Sequence, residues 1–267
     1  VDVTSCCPIG RGGNHSRHSM AGHSKFKNIM HRKGGQDKKR ALIFSKLSRE
    51  ITVAAKAGLP DPEQNARLRL AVQNARAENM PKDTVQRAID KAAGVGGEAY
   101  KDMRYEGFGP GGVGIIVEAL TDNMNRTAAD VRAVFNKNGG NLGTSNSVTS
   151  GFDRVGEVRY PLAIASEDAM LEAAIEAGAD DVKTEGDDHV VLCDQGSLSD
   201  VSTALQARFG DPAAARVVWR PHAMVEVSGD TAQTLLNLVD WLDDLDDVQN
   251  VYSNFDISDD EMAKMAS

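Results

Sequence analysis

The chain has 267 residues, of which 41% are hydrophobic and 26% are charged, and its formal net charge at pH 7 is −9. This length and apolar content suffice for two or three folded domains, and the lack of any apolar run of about eighteen residues argues against a membrane span. Cys6, Cys7 and Cys193 form neither a disulfide framework nor a zinc-binding pattern, which favours the reducing cytoplasm.

Residues 1–19 contain neither the apolar core of a secretory signal nor a helical period. Met20, followed by Ala21 and Gly22, has the character of a natural start. We therefore expect residues 1–19 to be a disordered extension.

Charge is divided unequally along the chain. Residues 20–93 hold sixteen Lys and Arg against seven Asp and Glu, a local net charge of +9, whereas residues 94–267 hold twelve against thirty-one, a net charge of −19. A solvated charged surface is one interpretation, but mixed signs would serve solubility equally well. A concentrated positive region attracts a polyanion, so nucleic acid is the favoured partner.

Residues 20–97 are predicted to form a basic helical domain. In the first long helix, Phe44, Leu47 and Ile51 recur at helical spacing with Ala54 and Ala55 and form a core face. The helix is predicted to end at Gly58, a C-cap candidate. A second helix lies within "QNARLRLAVQNARAEN", and a third begins at Pro81. Four cations on the opposite side of the first helix predict a continuous basic stripe that faces solvent: Lys39, Lys46, Arg49 and Lys56.

The segment "AGHSKFKNIMHRKGGQ" before the long helix is glycine-rich and basic and has little periodicity, so we expect an arm that orders on a partner. Phe26, between Lys25 and Lys27, could stack on an exposed base or could anchor the arm on the helices. His23 and His31 are expected to make polar contacts rather than to act as catalysts. The full set of predicted nucleic-acid-binding residues is His23, Lys25, Phe26, Lys27, His31, Arg32, Lys33, Lys38, Lys39, Arg40, Lys46, Arg49, Lys56 and Lys82.

The rest of the chain alternates strands and helices. "VGIIVEALT" predicts a strand and "NRTAADVRAVFNKNGG" a helix, and "DTAQTLLNLVDWLDDL" and "VQNVYSNFDI" give a later helix and strand. The intervening residues 151–221 follow a βαββαβ order, that of the ferredoxin-like fold. The predicted class is α+β: an N-terminal helical domain followed by two ferredoxin-like α/β modules, one inserted in the other. The outer module comprises residues 98–150 and 222–258, and an acidic tail follows at 259–267.

No catalytic constellation is evident. "YEGFGPGGVG" precedes a strand and lacks the lysine of a phosphate-binding loop, so its glycines are expected to shape a tight turn. The aspartates between Asp240 and Asp247 do not have calcium-loop spacing. Cys193, His189 and His222 have no evident nucleophile or base beside them. We expect no enzymatic activity, no metal and no cofactor.

Several segments together resemble the YebC family, whose mitochondrial member is the translational activator of cytochrome oxidase subunit one. The resemblance extends from Met20 to about Ile257 and rests on "MAGHSKFKNIMHRKGGQDKKRALIFSKL", "NMPKDTVQRAI", "YEGFGPGGVGIIVEALTDNMNRTAADVRAVFNKNGGNLG", "FDRVGE" and "DVQNVYSNFD". It implies three domains, a cytoplasmic location and no cofactor. It also implies one of two functions: a ribosome-associated role in the synthesis of proline-rich segments, or DNA-binding regulation of transcription.

The composition of the long helix favours the first function. Sequence-specific DNA recognition needs side chains that contact base edges in a major groove, commonly from a symmetric dimer. This helix offers mainly Lys and Arg, which suit phosphate contacts. The expected partner is therefore the ribosome and its RNA, with promoter DNA as the alternative, no membrane partner, and a monomeric chain.

Overall fold

The computed structural model describes residues 36–93 and 100–266. The predicted extension at 1–19 and the predicted arm before Gln36 lie outside the described residues. The predicted α+β class is confirmed, since a helical region is followed by antiparallel sheets with covering helices. Within the described ranges, no helix combines the length and the apolar character that crossing a bilayer requires.

The helical region, residues 36–93, contains α1 (Gln36–Ala57), α2 (Ala66–Ala77) and α3 (Lys82–Ala93). Ile51, Leu68 and Ile89 are buried in one apolar cluster that all three helices share, and Phe44 and Leu47 pack against it, as the helical spacing predicted. The side-chain oxygen of Asn65 accepts a hydrogen bond from the backbone N–H of Leu68 at 3.1 Å and caps the start of α2. The region therefore has a core of its own.

The outer sheet has the strand order β3-β1-β2-β9 and is antiparallel throughout. Helices α4 (Met124–Lys137) and α7 (Gly229–Asp243) share one core with this sheet, in which Phe135 and Leu235 are fully buried. The strands are β1 (Lys101–Phe108), β2 (Gly114–Thr121), β3 (Asn141–Leu142) and β9 (Val248–Ser253).

The inserted sheet is formed entirely by residues 152–221 and has the order β5-β6-β4-β7. Its elements are β4 (Phe152–Pro161), α5 (Glu167–Glu176), β5 (Asp181–Glu185), β6 (Asp188–Asp194), α6 (Leu198–Phe209) and β7 (Ala214–Pro221). With β4 as the first strand, this is the ferredoxin-like arrangement that the βαββαβ order predicted. Tyr160 and Met170 are fully buried between the sheet and its two helices.

The outer sheet differs from the inserted sheet in strand order. The hairpin β1–β2 lies at its centre, and the edge beside β2 is filled by β9 from the far end of the chain. Two short strands, β8 (Val225–Glu226) and β10 (Phe255–Asp256), pair in parallel beside it. Residues predicted to be an acidic tail form α8 (Asp259–Ala266), whose Met262 is buried in the core of the outer sheet.

All three parts of the molecule are in contact. The side-chain amide of Asn74 in α2 donates to the carbonyl oxygen of Ala215 at 2.9 Å, and its oxygen accepts from the N–H of Ala215 at 3.0 Å. The indole Nε1 of Trp219 in β7 donates to the carboxylate of Glu118 in β2 at 2.9 Å. The first pair joins the helical region to the inserted sheet, and the second joins the two sheets.

Candidate nucleic-acid interface

Only part of the predicted nucleic-acid-binding set can be placed. Seven members precede Gln36 and lie outside the described residues: His23, Lys25, Phe26, Lys27, His31, Arg32 and Lys33. Lys38 and Lys39 lie on the first turn of α1. For these nine residues, contact with nucleic acid stays a prediction.

Arg40, Lys56 and Lys82 are exposed on the helical region. The guanidinium of Arg40 lies over the ring of Phe44, with 5.3 Å between the guanidinium carbon and the ring centroid. Lys56 is in the last turn of α1, and Lys82 is the first residue of α3. Their exposure is compatible with phosphate contacts, which require accessible cations.

Lys46 and Arg49 do not face solvent as the predicted stripe requires. Nζ of Lys46 donates to the carbonyl oxygen of Asp243 at 2.7 Å, and Nη1 of Arg49 donates to the carbonyl oxygen of Asp246. Lys46 thus reaches the C-terminal end of α7, where the carbonyl dipoles favour a cation. The expectation of a continuous exposed stripe is wrong at these two positions, because the turn after α7 docks there.

Asp247 is the centre of this contact. Its Oδ2 accepts hydrogen bonds from the hydroxyl of Thr127 at 2.7 Å, from Nη2 of Arg126 at 2.8 Å and from the hydroxyl of Thr121 at 3.2 Å. Burial by itself raises the pKa of Asp247, but the hydrogen bonds from Arg126 and Thr127 outweigh it, and the net pKa is lowered. The carboxylate is therefore ionised at neutral pH, with its Oδ1 at 3.8 Å from Nη1 of Arg49.

A cleft of about 380 Å³ lies between α1 and α3, and we call it the α1–α3 cleft. Helix α1 contributes two serines, an arginine and a threonine to its wall, α3 contributes a threonine, an alanine and two cations, and a tyrosine closes one side. None of the described residues that line it is acidic. They are Ser45, Ser48, Arg49, Thr52, Thr84, Arg87, Ala88, Lys91 and Tyr100.

Sequence reasoning assigned only Lys82 of α3 to the interface and missed the cations of this cleft. Thr84, Arg87 and Lys91 recur at i, i+3 and i+7, so they share one side of α3. The same periodicity that identified the apolar stripe of α3 would have found this polar one. Its relation to α1 depends on how the two helices pack, and no sequence pattern specifies that.

The described residues contain no group of three or more His, Cys, Asp and Glu side chains that could hold a metal ion. Cys193 is buried, and burial raises the pKa of its thiol to about 11, so the thiol is protonated at neutral pH. Nε2 of His189 lies 3.0 Å from the carbonyl oxygen of Ala165, which gives this buried ring a structural partner. Neither group is arranged as a nucleophile with a base.

Comparison with known proteins places both parts of the chain in one family. Residues 24–95 match the model of the TACO1/YebC N-terminal domain, and residues 100–255 match that of the TACO1/YebC second and third domain. The chain is 57% identical over 252 residues to a probable transcriptional regulatory protein of Maricaulis maris, covering 92% of this chain and all of the relative. These descriptions are those of a regulatory protein rather than of an enzyme.

A solved structure supports the same assignment. The crystal structure of a conserved hypothetical protein from Aquifex aeolicus superposes with a TM-score of 0.77 at 42% sequence identity, and the match covers 84% of this chain and 93% of that protein. The family models and the solved structure thus each match most of the chain. The chain therefore belongs to the TACO1/YebC family.

Proposed function

We propose that this protein is a ribosome-associated, RNA-binding translation factor that assists the synthesis of proline-rich segments. The RNA-binding part of this proposal rests on the unequal distribution of charge. The net charge is +9 in residues 20–93 and −19 in residues 94–267. A polyanion is attracted to the first part and repelled by the second, so it approaches the molecule in one orientation. The proline-rich substrate comes from the family resemblance.

The surface of the helical region supports phosphate contact. Arg40, Lys56, Lys82 and Arg87 are exposed, and the α1–α3 cleft has cations and hydroxyls in its wall. Lys and Arg side chains that contact phosphates give affinity and orientation without sequence specificity. Structured RNA, which is read through its backbone and shape, suits such a surface.

Regulation of transcription through DNA binding is the second candidate, and the name of the Maricaulis maris relative favours it. The packing of α1 weighs against a recognition helix at this position. One side of α1 is buried in the core of the helical region, and Lys46 and Arg49 dock on the turn after α7. A helix covered on two sides cannot lie in a major groove about 12 Å wide without undocking.

Cosedimentation with ribosomes, compared with retention of promoter fragments at the same salt concentration, separates the two candidates. We expect the protein to sediment with ribosomes and to bind promoter DNA no better than random DNA. The variant Arg40→Gln/Lys56→Gln should bind ribosomes more weakly. Arg132→Gln, which removes an exposed cation of α4, is the control and should behave as the wild type.

A reconstituted translation system tests the proline-rich part. The protein should relieve slow synthesis of a reporter that contains a proline run and should leave a matched reporter without prolines unchanged. The translation proposal would be abandoned if ribosomes did not bind the protein, or if one promoter were preferred over random DNA by about a hundredfold, a difference typical of specific recognition.

A further inference from the structure

The α1–α3 cleft has two facing rows of donors. Ser45, Ser48 and Arg49 are spaced as neighbours on one side of α1, and Thr84, Arg87 and Lys91 share one side of α3. Between them, the hydroxyl of Thr52 lies 2.8 Å from the carbonyl oxygen of Ser48 and 3.1 Å from that of Ala88, so it ties the two helices together at the floor of the cleft. The rows are thereby held at a fixed separation.

The two arginines of the cleft are held in place before any ligand arrives. Nε of Arg87 donates to the carbonyl oxygen of Asp83 at 3.1 Å, and its Nη2 donates to the hydroxyl of Thr84 at 3.2 Å. Arg49 is fixed by the carbonyl oxygen of Asp246 and lies over the ring of Tyr100, 5.3 Å from its centroid. Side chains that are already ordered lose less conformational entropy on binding.

Donors for a ligand remain in the wall of the cleft. Among contacts between described residues, no hydrogen bond uses the hydroxyl of Ser45 or of Ser48. A guanidinium has five N–H donors, and the contacts of Arg87 use two of them. The lining thus combines positive charge with N–H and O–H donors and carries no carboxylate, so it suits an anion rather than a metal cation.

The chemistry of the donors identifies the anion. Guanidinium and hydroxyl groups together match the oxygens of a phosphate group, which accept several charge-assisted hydrogen bonds at once. The volume of about 380 Å³ is within the range of ligand sites and exceeds what one phosphate group needs, so an adjoining sugar can enter as well. A phosphodiester backbone presents both groups in repeating order.

We propose that the α1–α3 cleft binds the phosphodiester backbone of RNA, with Ser45, Ser48, Arg49, Arg87 and Lys91 as the phosphate contacts. This inference rests on the proposed RNA-binding function and assigns a site to it. The cleft then adds a backbone contact to those expected at the exposed cations Arg40 and Lys56. Nη1 of Arg49 is already bonded to the carbonyl oxygen of Asp246, so a contact between Arg49 and the backbone uses its other N–H groups.

Three variants of the full-length chain that change the net charge equally test the proposal. Arg87→Gln removes a cation from the cleft, Ser48→Glu adds a carboxylate to it, and Arg76→Gln removes an exposed cation of α2 that does not line it. The probe is a fluorescein-labelled, single-stranded RNA of twenty nucleotides, titrated by fluorescence anisotropy over a range of KCl concentrations. Circular dichroism checks that the helices persist.

We expect Arg87→Gln and Ser48→Glu to weaken RNA binding about three- to tenfold at 0.15 M salt. Arg87→Gln should also reduce the slope of log affinity against log salt by about 0.7, because one contact between a cation and a phosphate is lost. Arg76→Gln should retain wild-type affinity and slope. If the wild type binds RNA and all three variants bind it alike, the cleft assignment is wrong while the proposed function stands. If the wild type binds neither RNA nor ribosomes, the proposed function itself is wrong.

Discussion

Nζ of Lys46 donates a hydrogen bond to the carbonyl oxygen of Asp243 at 2.7 Å, although 197 residues separate them in the chain. The contact joins the basic helical region to the C-terminal end of α7. Aspartates are concentrated at this end of the helix. Opposite charges also meet at this junction, since Nη1 of Arg49 lies 3.8 Å from Oδ1 of Asp247, which is itself paired with Arg126. The unequal charge along the chain therefore serves the docking of its own parts as well as any partner.

The junction predicts a stability effect for Asp247. Replacing Asp247 with Asn removes the charge that three side chains of the outer sheet contact and that lies beside Arg49. We expect the free energy of unfolding to fall by about 1–3 kcal/mol, the usual cost of losing hydrogen bonds to a charged group. Urea denaturation followed by circular dichroism measures it.

Asp244→Asn is the matched control for that variant. Asp244 is exposed at the end of α7, three residues from Asp247, so the same charge is removed without the network. Its free energy of unfolding should stay within about 0.5 kcal/mol of the wild type, as for most surface substitutions. Equal losses in both variants would mean that general charge effects, and not the contacts of Asp247, determine stability here.

Glu106 provides a pH-dependent prediction. Burial raises the pKa of this carboxyl, but backbone N–H donors from Val148, Asn146 and Thr149 outweigh it, so its net pKa is lowered. The unfolded state therefore binds more protons in acid than the folded state does. The stabilisation that the Glu106 carboxylate provides is present above the unfolded pKa of about 4.3 and is lost as the pH falls through the lower folded pKa. The carboxylate thus fastens the loop after β3 in a pH-dependent way.

Replacing Glu106 with Gln should lower the free energy of unfolding by about 1–3 kcal/mol at pH 7. The difference from the wild type should shrink as the pH falls below about 4, because the wild-type carboxyl becomes protonated there. Urea titrations at pH 7, 5, 4 and 3 give the comparison. A difference that stays constant across these pH values would show that Gln disturbs packing and that the ionised carboxylate contributes nothing.

Much of the fold is predictable because helical and strand periodicities are local. The apolar positions of α1, from Phe44 to Ala55, form a face whatever follows in the chain, and the βαββαβ order of the inserted sheet repeats a common pattern. Strand β1 was not predicted. Its apolar and polar residues alternate only from Met103 to Glu106, and its buried residues are Glu106 and Gly107, which are residue types that strands disfavour.

The site was less predictable than the fold, because it depends on packing between distant segments. Lys46 and Arg49 are correctly placed opposite the core face by the helical wheel, but that side is solvent-exposed only if nothing else covers it. The turn that covers it begins near Asp243. The α1–α3 cleft likewise requires the relative position of two helices, which periodicity in either one does not give.

Gly107 illustrates a steric requirement that the sequence alone leaves open. A Cβ at this position would lie 2.7 Å from the carbonyl oxygen of Asn141 and 2.7 Å from the ring of Phe135. Gly107→Ala should therefore reduce the free energy of unfolding by about 1–3 kcal/mol, as overpacking in a core does. Gly151→Ala is the control, since no atom lies within 4 Å of its added Cβ, and thermal unfolding should be nearly unchanged.

The last prediction concerns the helical domain by itself. A fragment of residues 20–97 retains the apolar cluster around Ile51, Leu68 and Ile89, so it should fold with the helix content of the intact domain. It also loses the segment that carries the net charge of −19. We expect the fragment to bind single-stranded RNA at least as tightly as the full chain, because the repulsion between the acidic segment and RNA is removed.

The salt dependence of binding distinguishes the loss of this electrostatic repulsion from a change in RNA contacts. The Debye length grows from about 8 Å at 0.15 M to about 30 Å at 0.01 M, so the advantage of the fragment should increase as salt is lowered. The complementary fragment, residues 98–267, should bind RNA far more weakly at every concentration. Tighter binding by the full chain than by residues 20–97, with helicity intact, would contradict the prediction and would mean that the removed residues, including those that hold Arg49, contribute more to binding than the repulsion costs.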